Sequence, residues 1–195
     1  MNKTDKKKLR LIQGGHHYDM SHGPYRIVAA PEGRPPFNVN AVVAEEDTFL
    51  VMSAQPVVRV PQEPLMKVMT RLIETKPKEP GTILVKGKNP HRILAIVHDF
   101  NEEPTWREEW IESALEAVFQ EAENRKLESI ALPMLGTKHG SLEEKRFLAL
   151  LRSVLDRTSF PHPKRIWLVI PPGTSLDTLE TFKLNRTQIF TDTHR

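Results

Sequence analysis

The 195-residue chain contains no cysteine, which excludes disulfide cross-links and every zinc site built on thiolates. That absence points toward a cytoplasmic home. No apolar run approaches the roughly 20 residues that a helix needs to cross a bilayer, so no membrane partner is expected. The opening MNKTDKKKLR has charge but no apolar stretch behind it, and so does not read as a secretory signal. Internal repeats and low-complexity tracts are also missing. Charge of one sign is in short supply: the formal net charge of +3 helps with an anionic partner but is too small to imply nucleic acid. What is present is the composition of a soluble globular protein, with 38% apolar and 27% charged residues, in a chain long enough for one well-packed domain and short for two.

Three segments follow from local pattern. Residues 1–24 read as a loosely attached arm, with a basic cluster at Lys3, Lys6, Lys7, Lys8 and Arg10 and no apolar stripe. His16, His17 and His22 in that arm lack an acidic or histidine partner at helical spacing, so no metal site is assigned there and no cofactor is implied. Residues 25–184 read as the folded domain and 185–195 as a tail, in which Ile189 and Phe190 form the single apolar pair.

Within the domain, strands are expected at Tyr25–Ala30, Thr82–Val85, Arg92–His98, Ser129–Leu132 and Arg165–Ile170. The unbroken Ile93–Val97 run predicts a strand covered on both faces. Alternation at Phe37, Val39, Ala41 and Val43, then a charged turn at Glu45, Glu46 and Asp47, then the run Phe49–Ser53, reads as a hairpin. Helices are expected around Leu65–Leu72 after Pro64, from Thr105 to about Arg125, from Ser141 to about Asp156, and from Thr174 or Ser175 to Phe182. Thr105 with Glu108, and Ser141 with Glu144, have the spacing of capping boxes. Strands alternating with helices predict a three-layer α/β/α fold with a mixed sheet. Ligands in such folds bind beyond the carboxyl ends of the strands. Here those ends are Ser53–Gln55, His98–Phe100, Pro133–Ser141 and Ile170–Pro172.

The stretch Ser129–Glu144 is the most informative. A short apolar strand runs into Gly136, Thr137, Lys138, His139, Gly140 and Ser141, and a helix opens directly after. Such a loop gathers unpaired backbone N–H groups and the positive end of a helix dipole, which suits a phosphate. The segment Ala131-Leu132-Pro133-Met134-Leu135-Gly136-Thr137-Lys138-His139-Gly140-Ser141 resembles the phosphate loop of macro domains, with Lys138 and Ser141 in place of two family glycines. Gly81, Thr82, the strand end Ile96-Val97-His98, the helix with Trp110 and the strand Arg165–Ile170 follow the family order. From Thr48 to Ile73 the likeness is weaker. Met52-Ser53-Ala54-Gln55 and then PVVRVPQEP stand where the family has an Asn-Ala-Ala-Asn strand end and a glycine-rich loop. Upstream, where the family has an adenine-holding aspartate, only Ala44, Glu45 and Glu46 offer a counterpart.

The resemblance implies a macro-like fold binding ADP-ribose or a related nucleotide through Gly136–Ser141, with Gln55 and His98 nearby. The missing glycine loop argues against efficient hydrolysis, and no catalytic residue is assigned. Two other readings stand beside this one. The first is an ADP-ribosyl hydrolase with a divergent first loop. The second is a ligand-less macro-fold module contacting protein or, through Lys3–Arg10, nucleic acid.

Overall fold

The computed structural model describes residues 18–52, 76–171 and 173–184. Seven strands form one sheet: β1 (Tyr18–His22), β2 (Tyr25–Pro31), β3 (Ala41–Asp47), β4 (Ile83–Lys86), β5 (His91–His98), β6 (Ser129–Pro133) and β7 (Arg165–Ile170). Among the described residues three helices accompany them: α1 (Glu108–Asn124), α2 (Glu144–Thr158) and α3 (Leu176–Leu184). The spatial order is β1-β2-β7-β6-β3-β5-β4. The five inner strands are parallel, while β1 and β4 run antiparallel at the two edges. The mixed α/β sheet expected from the alternation of strands and helices is therefore present.

Apolar periodicity accounts for the core. In β5, Ile93 to Val97 are wholly buried, as a strand covered on both faces requires. Helix α1 buries Ile111, Ala114, Leu115, Val118, Phe119 and Ala122, and α2 buries Phe147, Leu148, Leu150, Leu151, Val154 and Leu155. Both stripes pack with the inward side chains of the sheet in one cluster. Each buried Leu, Ile, Val or Phe among them contributes about 1.5–3 kcal/mol of transfer free energy. The opposite sheet face carries a smaller cluster of Ala30, Ala131 and Trp167, against which Phe37, Val39 and Val169 pack. The helix read at Leu65–Leu72 and the tail from Asn185 lie outside the described residues.

Four expectations are corrected. The arm assigned to residues 1–24 contains β1, which is a paired edge strand. Its Tyr18 and Met20 are buried in the main cluster, and His22 Nε2 lies 2.7 Å from Asp156 Oδ1 with its ring against Phe182. Alternating burial of those side chains supplies what the sequence reading missed. The hairpin between 37–43 and 49–53 does not form. Glu45, Glu46 and Asp47 are not a turn but the last residues of β3, which pairs in parallel with β5 and β6. Neither capping box forms: α1 and α2 begin after Arg107 and Glu143, without a side-chain cap. The two glutamates are engaged elsewhere, because Glu108 accepts both arms of Arg146 and Glu144 accepts the Thr174 hydroxyl. Finally, Val51 and Met52 extend from β3 without strand structure, and Val51 is exposed.

Candidate functional site

The carboxyl ends of β3, β5 and β6 lie side by side, and one buried carboxylate joins them. Glu45, near the end of β3, accepts the Gly136 N–H at 2.7 Å through Oε1. Its other oxygen, Oε2, lies 3.2 Å from Nε2 of His98, the last residue of β5. The His98 ring is fully buried, and its Nδ1 has no hydrogen-bond partner among the described residues. The ring edge of His98 faces the ring of His139 at 6.4 Å between centroids, so His98 and the loop lie next to each other.

The loop Gly136–Ser141 is wound tightly. Thr137 donates to the Met134 carbonyl from both its N–H and its hydroxyl, and the Leu142 N–H closes back onto the Gly136 carbonyl. Gly136 has φ of +78°, where an L side chain is strained, and a Cβ there would come within 2.6 Å of Ile111 Cδ1. Gly140 is needed for a different reason. A Cβ on it would sit 2.5 Å from the Gly136 carbonyl oxygen and 2.6 Å from Trp106 Cδ1. Trp106, ahead of α1, thus packs directly on the loop.

Lys138, His139 and Ser141 are exposed. The N–H groups of Lys138, His139, Gly140 and Ser141 donate to no group among the described residues. The first turn of α2 follows directly, and its N–H groups are left open because no side chain caps that helix. The failure of the Ser141–Glu144 cap therefore enlarges the set of free donors. Lys138 forms no ion pair among the described residues and adds a cation at the rim.

The β3 end has the opposite character. Asp47 is fully buried and its carboxylate accepts the N–H groups of Phe49 at 2.7 Å, Val51 at 2.7 Å and Met52 at 2.8 Å. Burial by itself would raise this carboxyl. The N–H groups of Met52, Phe49 and Val51, with Glu46, outweigh burial and hold it below its ordinary 3.8. The backbone concavity after β3 is thus filled by the protein's own anion. Of Met52–Gln55, which stand where the resemblance has its Asn-bearing strand end, only Met52 is among the described residues, and it lies beyond the end of β3 at Asp47. Gln55 lies outside the described residues, as do His16 and His17. Among the described residues no cluster of His, Asp or Glu is suited to a metal ion.

Sequence reasoning missed Glu45, Asp47 and Trp106. The available signal was Val42-Val43-Ala44 running straight into three acids, because charge at the carboxyl end of a buried strand is where α/β sheets place their sites.

No protein-family model and no curated protein matches the chain. Among solved structures it is similar to the macrodomain of Oceanobacillus iheyensis with ADP, at 13% identity and a TM-score of 0.59, over 87% of this chain and 95% of that one. It is also similar to the macrodomain of Thermus aquaticus DarG, at 17% identity and a TM-score of 0.52, over 74% of this chain and 98% of that one. A third likeness is to the macro domain of ganglioside induced differentiation associated protein 2, at 15% identity and a TM-score of 0.51, over 80% of each chain. At these identities the likeness is one of fold: this chain has the macrodomain fold in a divergent sequence.

Proposed function

We propose that this macrodomain-fold chain binds a nucleotide-type ligand, ADP-ribose or a relative of it, at the carboxyl ends of β3, β5 and β6, without hydrolysing it efficiently. The carrying observation is the run of N–H groups from Lys138 to Ser141 that are open among the described residues, continued by the uncapped start of α2 and flanked by Lys138, which forms no ion pair among those residues. Converging N–H donors at a helix N-terminus are the usual seat of a phosphate. The Oceanobacillus iheyensis macrodomain has been solved with ADP and, as a single-residue variant, with ADPR, which supports this ligand class.

Weak or absent hydrolysis follows from the β3 side. The N–H groups of Phe49, Val51 and Met52 are already given to Asp47, and Pro56, Pro61 and Pro64 carry no N–H at all. Each missing donor to the transition state typically lowers a rate by about 10²–10³. Single-turnover release of ADP-ribose from an ADP-ribosylated protein tests this, with an active macro-type hydrolase as control. No release above background is expected, and release matching the control overturns it. Binding is tested by calorimetry and thermal shift with ADP-ribose, ADP, AMP and oligoadenylate, since a ligand of the native state raises its melting temperature.

One observation favours a second reading. Internal carboxylates already hold the Gly136 N–H and the donors after β3, as in a module that has replaced its ligand with its own side chains. No response to any compound in the screen supports that reading.

A further inference from the structure

The carboxyl ends of the sheet hold two places where backbone N–H groups converge, and the protein fills them unequally. After β3, all three converging N–H groups go to Asp47. At the β6 loop the innermost donor, Gly136 N–H, goes to Glu45 and the Thr137 N–H to the Met134 carbonyl, while those of Lys138 to Ser141 donate to no group among the described residues. Each N–H has one hydrogen. A phosphate oxygen seeking the Gly136 position must therefore displace an ionisable, nearly buried side chain from a 2.7 Å bond. It would also approach the β3 end, where Glu46 and Asp47 are wholly buried and the Asp47 carboxyl is held in its charged form. Like charges meeting in a partly desolvated cleft repel far more strongly than in water. Further out, Lys138 and the start of α2 favour an anion.

We propose that Glu45 sets ligand choice in this cleft by occupying the inner anion position, so that the site takes a nucleotide with a single phosphoryl group in preference to a diphosphate. The outer N–H groups of Lys138 to Ser141 seat that one phosphate, and the inner position, where the second phosphate of a diphosphate would take the Gly136 N–H, is already held by Glu45. Rejection comes from an internal repulsive element rather than from a missing attractive one. This inference rests on the nucleotide-binding reading above and narrows its ligand.

The test is calorimetry of the full chain with AMP, ADP, ADP-ribose and adenosine, on the parent protein and on Glu45→Gln. The glutamine keeps the size of the side chain and can still accept the Gly136 N–H, but loses the charge. A thermal melt of each protein establishes that both are folded. In the parent, AMP is expected to bind about tenfold or more tightly than ADP or ADP-ribose, a difference well within the range of one removed contact. In Glu45→Gln the gap should close to within about threefold, chiefly by gain of the diphosphates. Loss of structural support alone would weaken all four compounds together and leave their order intact. If ADP or ADP-ribose matches AMP in the parent, or if the order is the same in Glu45→Gln, the proposed role of Glu45 is overturned while nucleotide binding stands. If none of the four binds the parent, both readings fall. A Glu45→Gln protein that fails to fold leaves the parent's preference for AMP over ADP as the deciding measurement.

Discussion

The β3 end and the β6 loop lie at the same carboxyl edge of the sheet and offer the same currency, backbone N–H groups released where a strand stops. They differ in what has become of those groups. After β3 the chain wraps around the Asp47 carboxylate until three donors are consumed, and the result is a corner whose N–H groups are satisfied from within. After β6 the loop gives up only the Gly136 N–H to a side chain and the Thr137 and Leu142 N–H groups to backbone carbonyls. The next donors stay open beside an exposed lysine. An internal anion therefore converts a potential binding loop into a structural one, and the number of donors left open separates the two.

The sharpest way to break this comparison is to remove the internal anion from the β3 side. Asp47→Ala strands three N–H groups in a part-buried corner, and the expected loss is on the order of 4 kcal/mol. That corresponds to about 10 °C in the melting temperature of a chain this size. Acid should have a milder version of the same effect. Because the folded-state carboxyl lies below its ordinary 3.8, the native state binds fewer protons than the unfolded chain in the acid range. The stability contributed by Asp47 is therefore complete above that value and is lost as pH falls below it. Asp47→Asn should flatten this part of the curve in melts between neutral pH and pH 3. An Asp47→Ala protein that melts within a degree or two of the parent would mean the corner does not depend on its carboxylate.

A middle-sized effect is expected on the β6 side from Gly140→Val. The added Cβ meets the Gly136 carbonyl oxygen and Trp106, so the backbone must shift, at about 1–3 kcal/mol. Adding Trp106→Ala should recover only part of this, since the carbonyl contact remains. Full recovery in urea melts would locate the strain in the indole alone.

The smallest effect sharpens the comparison rather than breaking it. Lys138→Ala should leave stability within about 0.5 kcal/mol, because the side chain is exposed and forms no ion pair among the described residues. AMP affinity should fall by roughly two- to fivefold at low salt, with a smaller loss at high salt where an exposed charge is screened. A stability change with no change in affinity would give Lys138 a packing role instead.

Local pattern made much of the fold legible. The apolar run of β5, the limits of β7 and the core stripes of α1 and α2 follow from short-range periodicity, which tertiary contacts reinforce. Ser175 was also readable as the cap of α3, and its hydroxyl does receive the Thr178 N–H. The loop Gly136–Ser141 was readable because glycine spacing and a following apolar helix are contiguous in sequence. Residues 18–22 were not, since an edge strand is recognised by the partner it finds, and here two buried side chains in five residues gave little periodic signal.

By itself, the sequence determined the alternation of strands and helices in the second half, the core faces and the position of the β6 loop, because each depends on residues that are neighbours along the chain. Only the tertiary structure decided the state of the acids at 45–47. Read alone, three consecutive carboxylates belong in water. In the fold, Glu45 finds Gly136, 91 positions along the chain, and His98, 53 positions along, while Asp47 finds the backbone of the turn it creates. Burial of charge is tolerable only where donors converge on it, and convergence is a property of the folded sheet that no local pattern encodes.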